Sequence, residues 1–399
     1  MKNDFSRFNL KNGATLLFER RNLPIISIVA ATKAGAAYEK TTHKGIAHFT
    51  EHMLFKGSKK RNQKEIAETI EKKGGQMNGF TSEQITAFYC KIPSNKFLVG
   101  ADVIFDMVAN PKFDAKEIEK EKGVILSEIS RAHDLPQYWL FDKVKELLYE
   151  KPFALPILGL KYNIENFKKQ NFFDWHRNYG AENLIISIVG KGEIEEIKRM
   201  AEKTFMQKKT YLPKVNPILK NKNCELVEKR KNLDQAHLAL AFKVPTLSNR
   251  EKYATDVFNV IFGQGMSSWL HQEIREKRGW AYSIASFIEN EKNYGHCVVY
   301  AGIRKENTKK VKNLILKQLN KFKDINAREI EEAKEQCIGQ WQLGLEDSEK
   351  TATELVIQEI ACKAEEFYKY PELISKVKIE EVKNIAKIKN YVVAVLLPD

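Results

Sequence analysis

The apolar positions change period several times along this chain, and each change predicts an element. Residues 8–32 read as a hairpin of β-rich runs: FNL, a KNG turn, ATLLFER and then IISIVAATKAG, with Asn-Gly as the turn signal. From 44 to 57 and from 62 to 73 the spacing becomes three and four, the helical period, and the second segment sets Glu and Lys four apart. Gly74-Gly75 breaks this pattern, and GGQMNGFTSEQITAFYCKI (74–92) alternates as a strand from Asn78 onward. Residues 95–109 are again helical. A long helix is predicted over 114–132, capped by Asp114, with Glu117, Glu119 and Glu121 in its early turns and DLP (134–136) as its stop. A further helix falls in YWLFDKVKELLYE and a strand in NLIISIVG (183–190).

Between about Tyr211 and Lys231 the pattern lapses, and LPKVNPILKNKN reads as a linker. The order then repeats: a strand in HLALAFKVP, a helix near 250–262, a GQGMSS turn, a helix ending in REKRG, strands in AYSIASF and HCVVYAGI, and helices. FDAKEIEKEKGVILSEI (113–129) matches INAREIEEAKEQCIGQW (325–341) at an offset of 212, and IEKKGGQMNGF (70–80) parallels IREKRGWAYSI (274–284). The expectation is an α+β protein of two homologous domains, 1–213 and 220–399, joined by a 214–219 linker. Each domain would be an antiparallel-rich sheet with helices packed on one face.

Length and composition fit this picture: 399 residues, 43% hydrophobic and 30% charged, describe a globular chain of about two domains. The net charge of +14 comes from lysines spread among glutamates, without a basic arm, so no nucleic-acid partner is expected. Five scattered cysteines without a CxxC suit reduced thiols inside a cell. The N-terminus has no apolar signal region, and LPIISIVAA (23–31) falls far short of a membrane span. A cytoplasmic protein without a membrane partner is expected.

The chemistry gathers in GIAHFTEHMLFKG (45–57), where His48 and His52 lie four apart with Glu51 beside the second. On a helix, two imidazoles at this spacing can meet one zinc ion, and an adjacent carboxylate can take a proton from water. HFTEH resembles the H-x-x-E-H signature of the inverzincins, the zinc peptidases of the pitrilysin, insulinase and mitochondrial processing peptidase group. The resemblance implies Glu128, in EKGVILSEI 77 residues after Glu51, as third ligand, and Glu121 as a partner of a ligand histidine. It implies one Zn2+ per chain.

MNGFTSEQITAFY (77–89) resembles the family strand beside the zinc, where substrate adds as an extended strand. Asn78, Gly79 and Phe80 are the implied substrate-binding residues, with Gly79 in place of a common alanine. PILGL (156–160) also matches a family segment. In the second half, GQGMSSWLHQEIREKRGWAYSI resembles a family segment whose Arg/Tyr pair falls on Arg278 and Tyr282. These would hold the substrate carbonyl and its developing oxyanion, and Trp269 stands where arginine is common.

No H-x-x-E-H follows residue 52, and Gln340 stands opposite Glu128, so the second half is expected to hold no metal. The resemblance implies a zinc endopeptidase for peptides or unfolded segments, expected as a homodimer because one chain has both the ligands and the Arg/Tyr pair, with pairing to a related second subunit as the alternative. The alternative is a non-catalytic peptide-binding or scaffold subunit. The arginine-reading acidic positions of the processing relatives fall on Tyr138 and Asp142, of which one is acidic.

Overall fold

The structure, a computed structural model, describes residues 4–206 and 212–399; residues 1–3 and 207–211 of the expected first domain lie outside the described residues. The alternating segments form two sheets. The first joins β1 (Asp4–Asn9), β2 (Thr15–Arg20), β3 (Ile25–Thr32), β4 (Gln76–Thr81), β5 (Thr86–Pro93) and β6 (Leu184–Gly190) in the order β1-β2-β6-β3-β5-β4. The second joins β7 (Cys224–Arg230), β8 (Ala236–Lys243), β9 (Ala281–Asn290), β10 (Gly295–Ile303) and β11 (Val392–Pro398) in the order β7-β11-β8-β10-β9. The predicted turn joins β1 to β2, and Gly13 there takes a φ of 93° that favours glycine. β3 does not continue that hairpin. β6 lies between β2 and β3, parallel to the former and antiparallel to the latter.

The two sheets share one plan. Setting β7, β11, β8, β10 and β9 on β2, β6, β3, β5 and β4 matches the strand order and puts the parallel pair, β2/β6 or β7/β11, at the same place. The duplication legible in the two Glu/Lys helices is thus a duplication of topology.

Among the helices, α1 (Ile46–Leu54), α2 (Gln63–Glu71), α3 (Phe97–Ala109) and α4 (Ala115–Asp134) precede α5 (Pro136–Leu148). Asp114 caps α4 as its sequence predicts, accepting from the backbone N–H groups of Lys116 and Glu117 at 2.8 and 3.3 Å. α5 begins at Pro136, whose missing N–H suits a first helical position.

Contacts divide the chain into two compact units, Met1–Ser130 with Leu155–Val215 and Gly344–Tyr368, and Arg131–Ala154 with Asn216–Leu343 and Lys369–Asp399. One break falls inside the expected 214–219 linker; the others arise because each sheet takes a helix from the other half of the sequence. Every residue of β6 is buried, and β3 is buried beyond its first residue, so this sheet needs cover on both faces. One face packs on α3 in the main core. The other takes the helix Ser348–Ala361, where the Ser27 and Ser348 hydroxyls lie 2.8 Å apart. In the second unit α5 covers β8, β10 and β11, with Phe141 edge-on to Phe287 and Tyr300. Most helices pack on one face of each sheet, as expected, and one helix per sheet packs on the other.

Candidate metal centre

α1 is amphipathic in a particular way: one side buries Ile46, Phe49 and Met53, and the other carries His48, Glu51 and His52. Phe49 meets Phe172 edge-on at 4.8 Å, and Phe167 completes this aromatic packing. The helix starts at Gly45, whose φ is 104°. A Cβ there would lie 2.7 Å from the Cα of Gly159, itself at φ 94°. PILGL is therefore the segment that lies against the start of α1, and both glycines are required by close approach as well as by conformation.

α4 presents Glu121 and Glu128 two turns apart on one side. Glu128 Oε2 lies 3.8 Å from His48 Nε2 and 3.5 Å from His52 Nε2. One ligand atom from each of the three residues falls within 4.8 Å of the others, and no other such group occurs among the described residues. Zinc bonds of about 2.1 Å in a tetrahedral site set ligand atoms about 3.4 Å apart. The donor set is the imidazole-nitrogen and carboxylate mixture that zinc takes, so these residues fit the ion.

The electrostatics prepare the two histidines differently. Burial, reinforced by neighbouring His52, lowers His48 to about 3, which leaves a neutral imidazole with a free nitrogen lone pair. For His52, burial opposes charging, but the Glu121 bond and the charges of Glu128 and Glu51 outweigh it and raise its pKa. Glu121 Oε1 lies 2.8 Å from His52 Nδ1, and its Oε2 lies 2.7 Å from Lys56 Nζ. Burial pushes the Glu121 carboxyl up; its bonds to His52 and Lys56 pull harder and hold it below the ordinary value. The bond on Nδ1 turns Nε2 of His52 toward Glu128.

Glu51 is 7% exposed and accepts a 2.7 Å hydrogen bond from the Thr81 hydroxyl at Oε2. Burial raises its pKa above the ordinary carboxylate value, against the pull of Thr81 and His52 and with a contribution from Glu128. A carboxyl raised in this way is a better proton acceptor than an ordinary carboxylate.

The strand that carries Thr81 is β4, an edge of its sheet with one side open to pairing. Gly79 and Thr81 face α1: a Cβ on Gly79 would lie 3.2 Å from Glu51 Oε1 and 3.1 Å from Ala87 O. Strand alternation then turns Asn78 and Phe80 to the opposite face, and the Asn78 side chain accepts from the Gly79 N–H at 2.9 Å. Of the three expected substrate-binding residues, Gly79 is thus the one set beside Glu51.

Arg278 and Tyr282 belong to the second unit. Arg278 donates to the Glu273 carbonyl at 2.6 Å and to its carboxylate at 2.7 Å, and lies over the Trp280 ring. Tyr282, on the edge strand β9, is 78% exposed. Gln340 accepts a 3.0 Å hydrogen bond from Gln264. Sequence reasoning assigned no role to Thr81 or Lys56. The signal for Lys56 was present, four residues past His52, although the structure sets it in the turn just after α1. Thr81 lay inside a quoted motif, but nothing local marks its hydroxyl as a partner of Glu51.

An HxxEH helix, a carboxylate from a second helix and a duplicated α+β plan define a metallopeptidase-like protein of the inverted zinc type. Residues 22–161 match the description "Insulinase (Peptidase family M16)", and residues 166–337 match "Peptidase M16 inactive domain". The chain is 34% identical over 355 residues to a protein of Rickettsia bellii named "Uncharacterized zinc protease", covering 87% of this chain and 85% of that one. It is 31% identical to "Uncharacterized zinc protease YmxG" of Bacillus subtilis, covering 86% and 85%. Among solved structures, a protease from Helicobacter pylori superposes with a TM-score of 0.92 at 21% identity, covering 99% of this chain and 100% of that one. The M16 inactive domain from Pseudomonas fluorescens superposes at 0.89 and 20%, covering 99% and 98%. The chain belongs to the insulinase family, peptidase family M16, as a short two-domain member.

Proposed function

We propose that the chain is a zinc-dependent endopeptidase that cleaves peptides or unfolded polypeptide segments. The observation that carries this reading is Glu51, buried with a raised pKa beside the three converging donors His48, His52 and Glu128. Those three residues would hold the ion through both Nε2 atoms and a Glu128 oxygen. Bound there, zinc supplies a Lewis acid for the scissile carbonyl and lowers the pKa of water toward about 7. Glu51, with Oε2 engaged by Thr81, takes the proton of the attacking water at Oε1 and returns it to the leaving amine. The open edge of β4 accepts the substrate as an added strand, so that main-chain bonds supply affinity with little side-chain selection.

In this reading Arg278 and Tyr282 donate to the carbonyl oxygen as it gains charge, and a homodimer supplies complete sites. A cytoplasmic location is supported by five cysteines, none of them in a disulfide among the described residues. No helix among the described residues is long and apolar enough to cross a membrane.

The test is Glu51→Gln with an unstructured fluorogenic peptide. Zinc stoichiometry should stay at one per chain while turnover falls at least ~100-fold, the usual weight of a general acid–base group. Turnover at the wild-type rate would remove Glu51 from the mechanism. Zinc bound by the wild type, with no peptide in a library cut, would favour a non-catalytic peptide-holding subunit.

A further inference from the structure

α1 has no capping side chain of its own: its N-cap is Gly45 and its first turn has no acidic residue. The missing partner comes from six residues upstream. Glu39 accepts the Ala47 N–H at 2.7 Å on Oε1 and the Gly45 N–H at 3.2 Å on Oε2. Lys44 faces it 3.4 Å away, and both side chains are wholly buried. Lys44 in turn donates to Ala36 O at 2.8 Å. A buried pair held this way loses most of its balance when either member is removed.

The same segment is tied to the strand beside Glu51. The Ala36 and Ala37 N–H groups donate to the carbonyls of Ser82 and Glu83 at 2.9 and 2.8 Å. These carbonyls directly follow Thr81, the residue that binds Glu51. On the far side, Asn163 donates to Thr41 O and Lys44 O at 2.9 and 3.1 Å. The chain from Ala36 to Gly45 is therefore a brace with one end on the turn after β4 and the other on the first N–H groups of the helix that carries both histidines. Gly45 has no side chain with which to fix the roll of α1; Glu39 fixes it by holding two N–H groups at once, one residue before His48 in the case of Ala47.

We infer that Glu39, with Lys44, is a positioning residue of the metal centre: it sets where α1 starts and how it is rolled, and so aims His48, His52 and Glu51 at Glu128 and Thr81. The inference rests on the zinc-peptidase reading above and adds a residue that touches neither ion nor substrate. An amide at position 39 offers one acceptor and turns an NH2 group toward the other N–H, so the two-point hold is lost even when Lys44 is neutralised with it.

The experiment compares wild type with Glu39→Gln and with the double variant Glu39→Gln/Lys44→Met, in which no buried ammonium is left alone. Three readouts are taken: folding by circular dichroism and urea unfolding; zinc affinity by competition with a chromophoric chelator; and the imidazole 1H–15N spectrum of the metal-free protein. Peptide turnover is measured alongside. The double variant should fold, bind zinc about tenfold more weakly, as second-layer substitutions do, show shifted His48 and His52 resonances, and lose kcat with KM unchanged. Zinc affinity within twofold of wild type with unmoved resonances would overturn the inference. Failure of both variants to fold would assign the pair to stability alone and overturn it equally. A wild type that binds zinc but cleaves nothing ends the peptidase reading and leaves the affinity measurement to decide this one; a wild type that binds no zinc leaves the decision to the imidazole spectra.

Discussion

Replacing Glu121 by glutamine gives the sharpest test of how the centre is built. The change keeps the length of the side chain and an oxygen able to accept from His52 Nδ1, but removes the charge that this nitrogen faces at 2.8 Å. Glu121 is 4% exposed, so little solvent screens the loss. Outer partners of metal-bound histidines are worth roughly 10–100-fold in metal affinity, or about 1.4–2.7 kcal/mol. Zinc affinity of Glu121→Gln measured by chelator competition at pH 8 should fall by that factor.

The metal-free protein gives a second reading with a definite pH window. His52 sits above its ordinary 6.5 because, against burial, Glu121 and the other carboxylates favour its charged form. Glu121 sits below its ordinary 4.5 because, against burial, His52 and Lys56 favour its charged form. The stability due to Glu121 is present above 4.5 and lost as pH falls through its depressed native value; that due to His52 is present below 6.5 and lost as pH rises through its elevated one. The urea-unfolding difference between wild type and Glu121→Gln, both stripped of metal, should therefore be largest between about pH 4.5 and 6.5 and shrink on either side. Zinc bound equally well by both proteins at pH 8, with a difference in stability flat across pH, would refute the reasoning.

Thr81→Val removes the hydroxyl on Glu51 Oε2 with little change of shape; since Thr81 pulls the Glu51 pKa down, the acidic limb of the pH–rate profile should move to higher pH while zinc affinity stays put. Phe258→Ala empties the centre of the second core, where that ring packs on Phe242, Phe262 and Phe322, and should cost about 3–5 kcal/mol in urea unfolding without altering zinc affinity of the folded protein. Dialysis against a chelator should abolish turnover, with activity restored by one equivalent of zinc per chain.

What could be read beforehand divides along the range of the interactions. His48, Glu51 and His52 are legible because a helix brings positions four apart together, and the spacing alone says so. Glu128 came only through resemblance, since no periodicity links residues on two separate helices. The placement of β6 between β2 and β3 was missed for the same reason: a parallel neighbour arrives through a long crossover that leaves no mark on either strand. One signal did exist and was not used. IISIVAA and LIISIVG are apolar runs interrupted by a single serine each, not alternating ones, and a strand that is apolar on both sides needs cover on both faces. That requirement is met by Ser348–Ala361, and it is why the compact units are not two simple halves of the sequence.

On the proposed function, the duplication lets one fold position serve two tasks. β4 and β9 are equivalent edge strands, each beside the strand that follows it in the chain. Aligning 70–80 with 274–284 sets Tyr282 on Asn78, and both are exposed. On β4 the neighbouring face turns Gly79 and Thr81 toward Glu51, because α1 lies there with its histidines. In the second unit the helix equivalent to α4 carries Gln340, an amide bonded to Gln264, where Glu128 stands in the first. An amide with no imidazole pair holds zinc poorly. What remains at the equivalent edge is an arginine and an exposed phenol, donors without ligands. On the proposed function, the two equivalent edges would divide the tasks of peptide hydrolysis: β4 borders the helix that carries two ligands and the proton carrier, and β9 bears a phenol that would stabilise the oxyanion.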